Sequence, residues 1–416
     1  MKRIGKREIH RYVKKHINTA NVKVMLLFVP LLMILMKKIE SGEFRPEMFL
    51  DASILISFLI VFLCEILANV IINFVELKTE DAVKITEDYE SLINTYRLEK
   101  PKMVSYHDGD KTVYVPAISQ YEVKIANHNL SNAELSFEFD NSRYHVPKQI
   151  ADNSEFLFTA HKHSVIYNRM NIRVNDIITE GNTVKVVYGF TTYYDSLITN
   201  RAMDYRFSSN RSIRDIYEPG PIISDLKDSK MSNHLGFGGF IELSDGHIVF
   251  VKRKKYLSIG KGVWQQSVGA SLKTEACLDE NRLLTREGLF NAIKKEVYDE
   301  LKIEIPDSDI SKISIFSFFR DLVEGGKPQF VFYYRTDEYD RKSFEDNFYH
   351  YANRKDNKSN SARNKTETDG DIFEYFTVEE LKNCKFLVDR MTDQKNRQFI
   401  MTASSIASII LFLRNI

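Results

Sequence analysis

The chain has 416 residues, with 58 basic and 57 acidic side chains and a formal net charge of +1. That length suggests two or three structural units, and the near-neutral balance argues against a general nucleic-acid binder. Cys64, Cys277 and Cys384 are odd in number and unpatterned, so no disulfide framework is implied.

The charge is unevenly spread. Residues 1–23 form a basic arm, with Lys2, Arg3, Lys6, Arg7, Arg11, Lys14, Lys15 and Lys23 against one acid, Glu8. An apolar run follows from Val24 to Met36 and is closed by Lys37 and Lys38. A second runs from Ala52 to Val75. A bilayer core takes about 20 residues of helix. The second run meets that length, and the first reaches it only with its flanks, Lys23 snorkelling. A secretory signal is the rival reading, but Lys37 and Lys38 close the core and no small-residue cleavage site appears. A soluble helical hairpin would show a polar face. The expectation is a two-helix membrane hairpin over 24–75. Excess Lys and Arg stay cytoplasmic, which puts the N-terminus and residues 76–416 on the cytoplasmic side.

Glu65, Asn69 and Asn73 follow each other at four-residue spacing, one polar stripe on the second span. A carboxyl at the bilayer centre costs a few kcal/mol unless it is protonated or paired. The stripe either packs the two helices of one chain or joins helices of several chains, lining a pore.

Residues 76–100 read as a helical linker, with Ile85, Tyr89, Leu92, Ile93 and Tyr96 on one face of a helix over 79–97. The region 101–230 is β-rich, with strands at 112–115, 121–125 and 134–139, and with Gly181-Asn182 closing a hairpin. His161 and His163 form an H-x-H pair that no further ligand pattern joins, and read as ordinary strand residues. Asp245-Gly246 closes a second hairpin between Phe240–Leu243 and His247–Val251. Lys252-Arg253-Lys254-Lys255 follows, either a charged strand end or an edge that reads phosphate. Strands at 313–319 and 330–334 continue the sheet. Residues 351–370, rich in Asn, Lys, Ser and Thr, read as a mobile surface loop. The apolar tail from Ile400 to Leu413 is shorter than a span and reads as a buried terminal helix.

Two strings carry the chemistry. Gly269 to Glu275 is a G-x5-E string, and Glu296, Asp299 and Glu300 are spaced to lie on one helical face. Clustered carboxylates repel unless something positive sits among them. Hard oxygen ligands of this kind suit Mg²⁺, which grips phosphate. The bland alternative is the solvated face of an ordinary amphipathic helix.

In that order the strings resemble the Nudix box, G-x5-E-x7-R-E-U-x-E-E-x-G-U, where U is a bulky aliphatic. Gly269, Glu275, Glu296, Val297, Asp299, Glu300 and Ile303 fit, and Gly262-Val263-Trp264 to Gly269 is similar to the lead-in to that box. There are three departures. Lys295 replaces the Arg and cannot fork onto Glu275. Lys302 replaces the Gly, so the helix is expected to end differently. The stretch 276–294 replaces a seven-residue spacer, and could displace one half-box from the other. The resemblance implies an α+β chain: the membrane hairpin, a β-rich region, and a Nudix-like α/β/α sandwich over 231–416. It assigns Glu296 and Glu300 as catalytic, and Glu296, Asp299 and Glu300 as metal ligands for Mg. Gly269, Glu275 and Lys295 support the box. Arg253, Lys254, Lys261 and Trp264 are the candidate nucleotide-binding residues.

A membrane hairpin joined to such a domain resembles the transmembrane effectors of CBASS, the bacterial cyclic-oligonucleotide antiphage systems. In these a Nudix domain associated with second-messenger nucleotidyltransferases follows two membrane helices. Thr191 to Ser196 and Ser229 to Gly236 are similar to the start of that domain. The family implies that the domain binds a cyclic nucleotide and that the helices assemble, homo-oligomerise and disrupt the inner membrane, so the cell dies before phage spread. Two alternatives stay open. One is a membrane-tethered hydrolase acting on a nucleoside diphosphate derivative, and the other is a tethered interaction protein with inert acids.

Overall fold

The computed structural model describes residues 85–125, 135–159, 167–181, 183–254, 260, 262–353 and 370–416. The basic arm, the apolar runs with Glu65, Asn69 and Asn73, His161, His163, Lys255, Lys261 and residues 354–369 lie outside the described residues. Among the described residues, no helix is long and apolar enough to cross a membrane. All described residues belong to one compact unit.

The first described helix, α1, spans Tyr89–Thr95. It starts later than the periodicity suggests because Asp88 caps it, accepting from the Ser91 N–H at 3.0 Å. Leu92 and Tyr96 are buried with Met103, Ile118, Ile223 and Leu322. The segment therefore packs onto the sheet instead of simply leading the chain away.

The strands in chain order are β1 (Met103–Asp108), β2 (Lys111–Glu122), β3 (Leu135–Phe139), β4 (Met170–Glu180), β5 (Thr183–Thr192), β6 (Gly236–Glu242) and β7 (His247–Arg253). There follow β8 (Trp264–Gln266), β9 (Val268–Ser271), β10 (Ser314–Asp321), β11 (Lys327–Arg335) and β12 (Gly370–Thr377). Both expected hairpins form, turning on Gly181 at φ 58° and Gly246 at φ 81°. A large sheet runs β1-β2-β10-β11-β6-β7-β12, with β8 paired to β7 and β9 to β6. A smaller one runs β3-β5-β4. The hairpin β1–β2, upstream in sequence, pairs with β10 and so shares the sheet of the C-terminal strands.

β6 and β7 face each other only beside their turn, at Glu242 and Ile248. Beyond it they splay. The chain enters along β7 as β8 and returns along β6 as β9. Ser267, 1% exposed, marks the apex. Its hydroxyl donates to the Val249 carbonyl at 2.6 Å and accepts from the Ile241 N–H at 2.8 Å. One side chain thus satisfies backbone groups that the split takes out of the ladder.

Helices cover both faces of the large sheet. On one, α3 (Arg286–Leu301), preceded by the one-turn α2 (Thr274–Cys277), buries Leu289, Ile293 and Val297 among Phe237, Phe330 and Phe332. α4 (Arg341–Asn353) adds Phe344 and Phe348 to that side, and the smaller sheet adds Ile172, Val184 and Val186. On the other face lies α5 (Ala403–Asn415), the terminal helix that the apolar tail leads one to expect. Its Phe412 stacks on Phe240 with ring centroids 4.4 Å apart, an arrangement worth about 1 kcal/mol beyond the area buried. Cys277 and Cys384 are buried free thiols, held up at about 12 and about 11 by burial.

Candidate functional site

The two acid-bearing strings are joined by a compact device. After α2, Leu278 bridges Leu284 and Arg282 turns the chain at φ 62°. Thr285 then caps α3 by accepting the Gly288 N–H at 3.0 Å. Gly288 lies so close to the Cys277 carbonyl that no Cβ would fit, which lets the two helices touch. Most of the long spacer is therefore a short loop plus the early turns of α3, and the acids fall in its last turns.

α3 also ends as a glycine-terminated helix would. Lys302 sits at φ 58°, ψ 26°, the left-handed conformation. A lysine there costs about 1 kcal/mol. Three bonds offset it: Lys302 N–H to the Tyr298 carbonyl at 2.9 Å, Lys302 Nζ to the Asp299 carbonyl at 2.9 Å, and Asn347 Nδ2 to the Lys302 carbonyl at 2.8 Å. The expectation that losing the glycine changes the helix end is corrected. A lysine here takes the left-handed conformation that a glycine would favour.

Charge pairs tie the half-boxes together. Glu296, 4% exposed, accepts from Lys273 Nζ, a residue inside the G-x5-E string. Glu275 pairs with Arg169, the residue just before β4. Lys295 Nζ donates to Asp299 Oδ2 at 2.7 Å. That bond, with the Asp299, Glu296 and Glu275 charges, holds the Lys295 ammonium above its ordinary range. Glu300 stands half-buried one turn beyond Glu296. Arg169 and Lys273 were not singled out by sequence reasoning. Arg169 lies 106 residues from its partner, and no local pattern marks it. Lys273 stood inside the quoted string without a role.

The nucleotide-binding candidates fall on the splayed arms. Arg253 Nη1 donates to Gln265 Oε1 at 2.7 Å. The Trp264 ring meets Phe399 edge-on at 5.5 Å, with Lys252 Nζ 5.7 Å from its centroid. Lys254 is half-buried. Gly269 lies beside Gln265 Oε1, where a Cβ would approach to 2.9 Å.

The pairs also bear on a metal. Among the described residues, no three Asp, Glu, His or Cys side chains converge to hold one. Glu296 and Asp299 each carry a lysine ammonium where a divalent cation would compete. As they stand, these residues do not present an open carboxylate set.

Trp-bearing strand, glycine, one-turn helix and acid-bearing helix follow one another in the order that the sequence strings lead one to expect. No protein-family profile and no curated protein sequence matches the chain. Among solved structures, it is similar to a protein from Deinococcus radiodurans at 18% identity, covering 36% of this chain and 69% of that one, with a TM-score of 0.22. It is similar to the MutT protein from Methanosarcina mazei Go1 at 12% identity, covering 44% and 92%, with a TM-score of 0.24. A third is a bifunctional NMN adenylyltransferase/ADP ribose pyrophosphatase from Francisella tularensis, complexed with AMP and a Mn ion. It shares 16% identity with this chain over 47% of this chain and 43% of its own length, with a TM-score of 0.24.

Proposed function

We propose that this chain is a membrane effector that senses a nucleotide, with a Nudix-like domain that binds its ligand without turning it over. The observation that carries this reading is the set of charge pairs on the box. Glu296, Asp299 and Glu275 are each matched by a cation of the chain itself, Lys273, Lys295 and Arg169. A hydrolase needs those carboxylates for a metal and for water activation, and here a metal would first have to displace the lysines. No catalytic step is therefore assigned to a metal.

The finer reading follows from the sequence. The basic arm and the apolar runs of 24–75 support an inner-membrane anchor with a cytoplasmic N-terminus and a cytoplasmic domain. With the resemblance to CBASS effectors, they support a cyclic nucleotide as ligand and membrane disruption on activation, ending in abortive infection. The polar stripe supports a homo-oligomer. Glu65→Leu keeps the second run apolar, so the helix still inserts. It removes an interhelical contact worth about 1 kcal/mol, a loss that repeats around a ring of subunits. The test places the full chain in dye-loaded vesicles and adds cyclic dinucleotides. The expected result is ligand-triggered leakage with the nucleotide recovered intact, and Glu65→Leu leaking far less while binding equally well. Nucleotide products released at a steady rate would instead support the membrane-tethered hydrolase of a nucleoside diphosphate derivative.

A further inference from the structure

The start of the described chain is held at one buried point. Asp204 accepts the Thr86 N–H at 2.9 Å. Arg214 grips the same carboxylate with Nε at 2.8 Å and Nη2 at 3.1 Å. Its Nη1 donates to the Tyr96 hydroxyl at 3.3 Å, which in turn donates to the Glu218 carbonyl at 2.8 Å. Thr86 and Tyr96, on either side of α1, are thus gathered around one guanidinium. The segment after Tyr96 therefore lies at the end of the domain where the chain enters.

That segment is a short 3-10 helix, Arg97–Lys102, and its charges are sorted. The one acid, Glu99, is 5% exposed. Arg97, Lys100 and Lys102 are exposed, and so is Leu98, at 58%. The Leu98 N–H donates to the Pro221 carbonyl at 3.3 Å, which brings up Ile222, 57% exposed. Leu98 and Ile222 are the two most exposed large apolar side chains among the described residues, and their backbones adjoin. Open apolar side chains that cluster and carry a charged rim mark an interaction surface. The rim is positive. The acids of α1, Asp88 and Glu90, stand at its first turn, the end of that helix away from Arg97. In the loop after Ile222, Asp225 and Asp228 are balanced by Lys227 and Lys230.

We propose that Leu98 and Ile222, rimmed by Arg97, Lys100 and Lys102, form a docking surface for a bilayer that carries anionic phospholipid. The apolar pair enters the headgroup layer and the three cations pair with lipid phosphate. Two observations choose lipid as the occupant. Exposed cations around an apolar centre match an anionic interface, which attracts each Lys or Arg near it. The chain is also short here: only residues 76–84 separate the second apolar run from the first described residue, a reach of no more than about 36 Å fully extended. This inference rests on the proposed membrane anchor and adds to it a contact made by the folded domain itself.

The test uses the full chain, reconstituted in nanodiscs of neutral phosphatidylcholine or of phosphatidylcholine mixed with anionic phosphatidylglycerol. Leu98→Cys, in a Cys64→Ala background, carries a polarity-sensitive dye, Cys277 and Cys384 being buried. A nitroxide on the lipid headgroups quenches a docked dye. The expected result is quenching in anionic discs that is lost in neutral discs and at high salt. Arg97→Gln/Lys100→Gln/Lys102→Gln should lower the ratio of docked to free dye by at least about tenfold. Thermal melting shows that this variant is folded, and if it is not, the salt titration of the labelled chain decides alone. An unquenched dye in anionic discs, from a chain that resists alkaline extraction from its membrane, overturns the docking surface and leaves the anchor standing. A dye shielded equally in neutral discs or in detergent means that another copy of the chain covers the patch, and also overturns it. A chain that alkaline carbonate strips from the membrane overturns the anchor and this inference together.

Discussion

The last turns of α3 and the split between β6 and β7 are both polar places in an apolar domain, and they are built in opposite ways. On α3 the acids meet cations of the chain itself: Lys273 at Glu296, Lys295 of the same helix at Asp299, and, on α2, Arg169 drawing in Glu275. In the split, the buried amides of Gln265 and Gln266 each keep an atom without a partner among the described residues. A charge balanced from within keeps its place at little cost, whereas an unmatched buried amide is a cost that the surrounding structure carries.

The comparison breaks most easily at Lys273. Glu296 is nearly fully buried, so removing Lys273 takes away a counter-charge that lies against a desolvated carboxylate. Lys273→Ala is expected to cost about 3 kcal/mol of stability, read as a shift in the urea midpoint at neutral pH. A variant as stable as the wild type would mean that Glu296 finds its counter-charge elsewhere.

A second buried acid sharpens the comparison. Asp321, the last residue of β10, shares Lys327 with Glu324, and Arg201 lies against Glu324. Burial, with the Glu324 charge adding, pushes the Asp321 carboxyl up to about 7 from its ordinary 3.8. The folded state therefore holds the proton more tightly than the unfolded chain. The stability this group contributes is full below about pH 4 and is lost as pH rises through about 7. Asp321→Asn keeps the oxygen that accepts the Val323 and Glu324 N–H groups. It should gain up to about 2 kcal/mol at pH 8 and almost nothing at pH 4. Melting curves across that range check it, and a gain independent of pH would contradict the assignment.

Much of the fold was legible because turns and helix ends are local. Gly181 and Gly246 sit where the hairpins need positive φ, and the apolar tail became α5. The order of the half-boxes located α2 and α3. What was not legible depends on residues far apart. Arg169 pairs with Glu275, and β2 pairs with β10, across separations that no local pattern encodes. Lys302 shows a different limit. A glycine position was inferred from the pattern, but the bonds that let a lysine occupy it come from Asn347 and from α3 itself. Gln265 and Gln266 stood between Trp264 and Gly269 as spacer, because their burial follows from the split of β6 and β7.

The smallest expected effect is at Lys295. Its pair with Asp299 is half-exposed and spans one helical turn, so Lys295→Ala should cost no more than about 0.5 kcal/mol. A loss as large as that expected for Lys273 would show that Lys295 is held by more than Asp299.

The central claim is that the box acids are balanced by the chain's own cations, so the domain binds a nucleotide and does not cleave it. The most direct measurement titrates the full chain with its best-bound nucleotide, first with Mg²⁺ and then with EDTA, and analyses the recovered nucleotide. The account predicts the same affinity in both conditions and intact nucleotide at the end. Binding that vanishes with EDTA, or nucleotide products that accumulate only with Mg²⁺, would contradict it.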